Sequence, residues 1–364
     1  MAKGERKKAG WGTRILVLLA VALGLLLALE GALRARQWLK YGTFSATFYE
    51  LETHAASGLE IPKPGSSVGT VQVNSLGFRG AEIEDPKPAG RLRIAFLGGS
   101  TTYCAETSGL EATWPHLVTE GLREAFPGAD LDYVNGAAGG YSTKQSLLNL
   151  QHRVAPLDPD VIVIYHGTNE LTQDSREKAA QLGLFDPQVL EQDALGEISL
   201  AWYLIRKNVL AQKRKSASVG GERLEVDPST YSAPFGTRLR ALIAEARKHA
   251  ARVVVVTFSH RVRATQSADG RREASASSLY YMPYMTVDGV LAGFEEYNDL
   301  IREVAAETDV LLVEGEDEIP GNAEHFADSV HLTDAGCALQ AQRVLEAMLA
   351  DERLRELLGG GGGA

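Results

Sequence analysis

Arg93-Ile94-Ala95-Phe96-Leu97-Gly98-Gly99-Ser100-Thr101-Thr102 is an apolar run stopped abruptly by two glycines and a cluster of hydroxyls. The run has the composition of a buried strand. Gly98 and Gly99 let the backbone turn tightly and bring Ser100 close to a substrate. In a parallel α/β sheet, reacting groups and ligands gather at the carboxyl ends of the strands. Taken alone, the stretch also fits a phosphate cradle or a plain tight turn. The partners that the rest of the chain supplies decide between these readings.

Downstream of this stretch, strand and helix patterns alternate, the signature of a parallel sheet with helices on both faces. Thr113-Trp114-Pro115 opens a helix to about residue 126, with Thr113 as N-cap and proline in the first turn. A second strand at 132–134 ends in Asn135-Gly136-Ala137-Ala138-Gly139-Gly140-Tyr141, and Ser142 caps a helix reaching about 154. The third strand, 161–165, is apolar throughout and runs into His166-Gly167-Thr168-Asn169-Glu170. Residues 171–233 read as an irregular insertion, the usual place for a specificity lid or a surface excursion. The alternation resumes with a helix over 234–249, a strand over 253–256 and a polar loop over 259–278. A helix then buries Leu291, Phe294, Tyr297 and Ile301 on one face, and a fifth strand follows at 310–313. Thr333 caps a final helix to about 358, and 359–363 are five glycines.

Upstream, Lys3, Arg6, Lys7, Lys8 and Arg14 form a basic head, followed by uncharged apolar residues from 15 to 29. Glu30 interrupts the run and Gly31-Ala32-Leu33 resumes it. Such a segment lies between a signal-peptide core and a full span of about 20 residues. Ala28-Leu29-Glu30-Gly31-Ala32-Leu33-Arg34 offers no Ala-x-Ala cleavage site, and there is no lipobox cysteine. An uncleaved signal anchor over 14–33 is therefore expected, with the head 1–13 in the cytoplasm and the bulk of the chain exported. That makes the protein single-pass in the inner (cytoplasmic) membrane. Residues 34–90 read as stalk and linker: a helical stalk to about 60, a break at Ile61-Pro62-Lys63-Pro64-Gly65, a turn at Gly77-Phe78-Arg79-Gly80 that either covers the sheet edge, the favoured reading, or reaches toward the site, and a proline-rich linker at 85–90. The α/β domain proper would then span 91–358.

The 364 residues allow one or two domains, and 45% hydrophobic with 23% charged residues is ordinary globular composition. A net charge of −10 argues against a nucleic-acid partner, since phosphate binding needs a basic face. Two cysteines exclude a disulfide scaffold and a cysteine-built zinc site. Cys104 follows Ser100 by four residues and Cys337 follows His331 by six, which leaves open a disulfide or two free thiols packed as small hydrophobes.

Four of the five strand-end loops carry polar residues of matching kind: Ser100, Gly140, Asn169, and Asp328-Ser329-Val330-His331. These are the parts for acyl transfer on serine. A hydroxyl is a poor nucleophile near neutral pH and needs a base within hydrogen-bond reach. His331 can take the Ser100 proton and return it to the leaving group, while Asp328 holds the imidazole in the right tautomer. The N–H groups of Ser100 and Gly140 and the amide of Asn169 are natural donors to the oxyanion of a tetrahedral intermediate.

In order along the chain, Gly98-Gly99-Ser100-Thr101, Gly140-Tyr141-Ser142, Gly167-Thr168-Asn169-Glu170 and Asp328-Ser329-Val330-His331-Leu332 resemble the four blocks of the SGNH/GDSL hydrolases. The resemblance covers about residues 92–358. It implies a flavodoxin-like three-layer α/β/α sandwich with a five-stranded parallel sheet of order 2-1-3-4-5, here preceded by a transmembrane helix. It also implies a serine esterase without cofactor, with Ser100, Gly140, Asn169 and His331 as defining residues and Asp328 completing the triad. Gly99 stands where the motif's name has Asp, Thr101 where it has Leu, and Glu170 where many members have Asp; these departures bear on subfamily and substrate.

Around this set, Glu170 is expected to orient the Asn169 loop; His166, beside that loop, reads as a hydrogen-bonded strand-end residue with support of the site as the alternative, and His260, after the fourth strand, is a lesser candidate to line the pocket. His325, Asp328 and His331 lack a further firm ligand, so no metal is expected. An exported esterase would act on an acylated carbohydrate or lipid of the cell envelope. Two rivals remain: an O-acyltransferase, in which a sugar hydroxyl replaces water, and a non-catalytic flavodoxin-like binding domain. The second leaves Asn169 and the Asp328/His331 pair without a role.

Overall fold

The computed structural model describes residues 11–41, 50–185, 199–202 and 223–360. Its centre is a five-stranded parallel sheet of β1 (Leu92–Gly98), β2 (Leu131–Asn135), β3 (Val161–Tyr165), β4 (Arg252–Val256) and β5 (Leu311–Val313), in the order β2-β1-β3-β4-β5. This is the expected flavodoxin-like order. The register pairs Ala95 of β1 with Val134 on one side and Ile162 on the other. Every residue of β3 is buried, as an interior strand covered on both faces requires.

Helix α1 (Trp11–Tyr41) precedes the sheet. Downstream come α2 (Ser100–Tyr103), α3 (Trp114–Ala125), α4 (Thr143–Asn149), α5 (Thr168–Gln181), α6 (Ser229–Ala246), α7 (Ala268–Ala274) and α8 (Ala276–Tyr281). The last three are α9 (Val287–Thr308), α10 (Asp334–Ala350) and α11 (Glu352–Gly359). Helices α3 and α10 pack together, while α6 packs against α4, α5 and α9, giving the two outer layers. Trp114, the first residue of α3, is fully buried edge-on against Phe96 of β1 at 5.2 Å between centroids.

Several boundaries differ from the sequence reading. The single helix expected after Thr333 is two, because Asp351 takes an extended conformation and its side chain caps α11 by accepting the Leu354 N–H at 2.9 Å. The stretch from 171 is not irregular at first, since α5 runs to Gln181 and buries Leu171, Asp174, Ser175 and Ala179. Asp174 tolerates burial because Arg238 donates to both its oxygens and the Tyr297 hydroxyl to one of them. Helix α6 begins at Ser229, earlier than expected, and carries Pro234 inside it. Most of the remaining insertion, 186–198 and 203–222, lies outside the described residues.

The helical stalk also ends sooner. Helix α1 is described to Tyr41, and from residue 50 the chain forms small antiparallel pairs, Leu51–Thr53 with Glu60–Pro62 and Ser67–Val68 with Val71–Gln72. This arm, 50–90, is not a free spacer. Leu59 and Ile61 pack with Ala138 and Tyr141, and Val71 and Val73 pack with Tyr103, Ala105 and Ala137. Helix α1 itself is apolar enough to cross a membrane over Trp11–Leu39, with mean hydropathy 2.6. Glu30, which interrupts its apolar run, accepts hydrogen bonds from the Ser199 hydroxyl and the N–H groups of Leu200 and Ala201.

Candidate active site

Ser100 is the first residue of α2, immediately beyond β1. Two features of the sequence hold it there. A Cβ at Gly98 would fall 2.1 Å from Thr102 Oγ1 and 2.8 Å from the Tyr165 carbonyl. One at Gly99 would fall 2.7 Å from Asn169 Nδ2 and 2.9 Å from the Tyr141 carbonyl. Only glycine fits at either place, so the strand can turn at once into a helix whose first N–H groups have no carbonyl one turn back.

His331 reaches this turn from the loop after β5. Its Nε2 lies 2.8 Å from Ser100 Oγ and its Nδ1 2.9 Å from Asp328 Oδ2. The other Asp328 oxygen accepts the N–H groups of Val330 and His331, at 2.8 and 2.9 Å, so the carboxylate also builds the turn that presents the imidazole. Burial would raise the Asp328 carboxyl, but the bond from the His331 side chain, its charge and these two N–H groups outweigh it and hold the pKa at about 2. For His331 the balance is reversed in sign. Burial would lower it; the hydrogen bond to Asp328 and the charges of Glu106 and Asp328 prevail and raise it to about 9.

Asn169, the second residue of α5, points its Nδ2 at the Tyr141 carbonyl, 2.8 Å away. That uses one of two amide hydrogens. Gly140 has φ of 77°, a left-handed conformation suited to glycine, and brings the second strand-end loop alongside. His166 and Glu170 stand behind this edge. His166 Nε2 is 2.8 Å from Ser146 Oγ, its Nδ1 is 3.3 Å from Glu170, and Glu170 accepts the Thr143 N–H at 2.6 Å. Burial pushes the His166 imidazole down against the opposing charge of Glu170. The pair therefore fastens α4 to α5.

His260 is placed elsewhere. It stacks on Phe294 at 4.4 Å and lines a separate cavity of about 620 Å³ with Val262, Arg263, Leu291, Asn298 and Asp317, away from Ser100 and His331. Burial, reinforced by the charge of Arg263, brings its pKa to about 3. The neighbouring Arg261 N–H donates to the Ser329 carbonyl at 2.8 Å, so this loop steadies the one that carries His331. His325 hydrogen-bonds Asn322 through Nδ1 at 2.9 Å.

Of the two alternatives for the cysteines, the structure has free thiols. Cys104 and Cys337 are both buried, with sulfurs 3.9 Å apart. The hydrogen bond between them and burial raise the Cys337 thiol. Glu106, whose charge acts on His331, was not visible as a site residue from the sequence: nothing in Ala105-Glu106-Thr107 marks it until the loop is folded against the histidine.

A hydroxyl bonded to an imidazole that is itself bonded to a carboxylate, at the strand ends of a flavodoxin-like sheet, is the arrangement of a serine hydrolase. The chain belongs to the GDSL-like Lipase/Acylhydrolase family, whose model matches residues 96–339, and is accordingly an ester-hydrolysing enzyme. No curated protein sequence matches it. Solved structures that align with it include the acetylxylan esterase Axe2 from Geobacillus stearothermophilus, at 16% identity and a TM-score of 0.44, covering 72% of this chain and 95% of that one. Another is LAE5, an α/β hydrolase enzyme from the metagenome of Lake Arreo, Spain, at 18% identity and a TM-score of 0.40, covering 75% of this chain and 97% of that one.

Proposed function

We propose that this chain is a single-pass esterase of the inner membrane, hydrolysing O-acyl, foremost O-acetyl, esters of a cell-envelope carbohydrate or lipid on the exported side. The chemistry rests on the unbroken relay from Ser100 Oγ through His331 to Asp328, at 2.8 and 2.9 Å. The location rests on α1 and the basic residues before it. In this reading 1–13 are cytoplasmic, 14–33 span the membrane and 91–358 form the hydrolase domain.

Ser100 Oγ attacks the acyl carbon as His331 Nε2 takes its proton. The oxyanion that forms is met by the N–H groups of Ser100 and Gly140 and by the second hydrogen of Asn169 Nδ2. His331 then hands the proton to the departing alcohol, and water resolves the acyl-enzyme with the same base. Asp328 fixes the tautomer that leaves Nε2 free to accept. The reading is tested by treating the full chain in detergent with a fluorophosphonate. A single adduct on intact mass, absent in Ser100→Ala, is expected; an adduct that survives the substitution would overturn it.

The pH dependence has a definite sign. Only the neutral imidazole can accept the serine proton, so kcat/KM should rise with pH, about tenfold per unit, until His331 has lost its proton. With its pKa raised to about 9, that limb lies above the ordinary histidine range. Glu106→Gln removes one of the charges responsible and should move the limb to lower pH. A profile flat from pH 5 to 8, or one that Glu106→Gln leaves in place, counts against this electrostatic account.

Gly99 offers a second check. Gly99→Asp restores the residue of the family's name, yet its Cβ would collide with Asn169 Nδ2 and the Tyr141 carbonyl. It should lower kcat by roughly 10²-fold, the cost of displacing an oxyanion donor. Unchanged kcat would mean that Asn169 moves aside without consequence.

A further inference from the structure

Arg79 belongs to the arm, yet its guanidinium lies against the nucleophile turn and is only 1% exposed. Nη1 donates to the Tyr103 carbonyl at 2.6 Å and to that of Cys104; Nη2 donates to Thr107 Oγ1 at 3.2 Å and the Gly109 carbonyl at 3.5 Å. All four acceptors are neutral oxygens. The guanidinium also stands 5.6 Å from the centre of the Tyr103 ring.

The position of these acceptors gives the contact its meaning. Helix α2 has a single turn, and a single turn does not hold itself together. Its last carbonyls have no partner within the helix. The chain leaves it through Cys104 at φ 58° and ψ 44°, a left-handed conformation of which glycine is the usual occupant. Arg79 occupies the carbonyl of Tyr103, shares that of Cys104 with the N–H and hydroxyl of Thr107, and sets a positive charge at the negative end of the turn's dipole. It also pins the following loop at Thr107 and Gly109. Asp334 accepts the Ser108 N–H at 2.8 Å, so the same loop ties the Ser100 turn to the start of α10, three residues beyond His331. The arm is fastened to the second strand-end region as well. Arg153 donates to the Leu76 and Gly77 carbonyls, at 2.9 and 3.0 Å, and the Tyr141 hydroxyl to the Glu60 carbonyl at 2.9 Å.

We propose that Arg79 is a positioning residue for the nucleophile: by clamping the carboxyl end of the Ser100 turn it sets the Ser100–His331 approach, and it makes the arm part of the catalytic unit. The inference rests on the reading of Ser100 given above. A displacement of about 1 Å in a reacting group costs on the order of 10²-fold in rate.

The test uses the full chain in detergent, as wild type, Arg79→Ala and Arg79→Lys. Three quantities are read: the rate of fluorophosphonate labelling at Ser100, kcat and KM on p-nitrophenyl acetate, and the melting temperature. Arg79→Ala should label and turn over about 100-fold more slowly, with KM within about twofold. Millimolar guanidinium ion should restore much of the loss. Arg79→Lys keeps the charge but not the fork and should fall between, about tenfold down, at an unchanged melting temperature. If Arg79→Ala does not fold, Arg79→Lys carries the test alone.

A folded variant that labels at the wild-type rate overturns the inference. So does a loss that guanidinium leaves untouched and that appears as a raised KM. A wild-type chain that takes no label overturns the reading of Ser100 and this inference with it; equal labelling of wild type and variant overturns this inference alone.

Discussion

Ser100→Ala is expected to lower turnover of a simple acetate ester by about 10⁶-fold, to the residue of rate that the oxyanion donors and substrate binding supply on their own. The size follows from how the three groups are linked. His331 Nε2 has its one partner of consequence in Ser100 Oγ, and Asp328 acts only through His331. Without the hydroxyl there is nothing for the relay to activate, so the loss cannot be shared with another group. Folding should be unaffected, because the removed oxygen bonds His331 Nε2 and the backbone contacts of the turn, those from Arg79 included, stay in place. The measurement is kcat/KM with the melting temperature alongside. Esterase activity within tenfold of wild type, in a folded variant, would remove Ser100 from the mechanism.

Asn169→Ala is expected to lower kcat by about 10²–10³-fold and leave KM nearly unchanged. One hydrogen of Nδ2 is committed to the Tyr141 carbonyl at 2.8 Å, which aims the other. The carbonyl oxygen of a bound ester carries little charge; the tetrahedral intermediate carries a full one. A donor that acts on that difference is felt in kcat. The opposite pattern, a raised KM at constant kcat, would make Asn169 a residue that positions substrate. In either case the Tyr141 carbonyl loses its partner, so the melting temperature should be followed as well.

The candidate site was legible as a set of neighbours because its determinants are local. Interior parallel strands are continuous apolar runs, and the residues that matter sit just beyond each of them, as at Leu97-Gly98-Gly99-Ser100 and Tyr165-His166-Gly167-Thr168-Asn169. Asp328 could be paired with His331 because a three-residue turn brings them together whatever the rest of the chain does. The face of α5 was hidden because a buried Asp174 looks like a surface residue until Arg238 and Tyr297, more than sixty residues away, are seen to satisfy it. The arm was misread for another reason: strands of two and three residues are too short to show an alternation. Arg79 was placed in a covering loop because three of its four acceptors are backbone carbonyls, which leave no mark in a sequence. His260 followed a strand end, as site residues do, but its ring turns away to Phe294.

The limits of the family match differ from those of the structure, and this governs how the enzyme can be subdivided. The match opens at Phe96, in the middle of the strand that lies between β2 and β3, and closes at Leu339, within α10. A fragment cut there loses the Ile94–Val161 and Ala95–Ile162 pairings. It also uncovers what Leu354 and Leu358 of α11 conceal, and bares the apolar surfaces of Tyr103, Ala137 and Tyr141 on which the arm rests. Such a piece would keep all the residues of the four motif blocks and still be an aggregation hazard, with a split sheet and new sticky faces. Because the arm packs on the sheet's helices and loops, a soluble version of this enzyme should be severed from α1 ahead of residue 50.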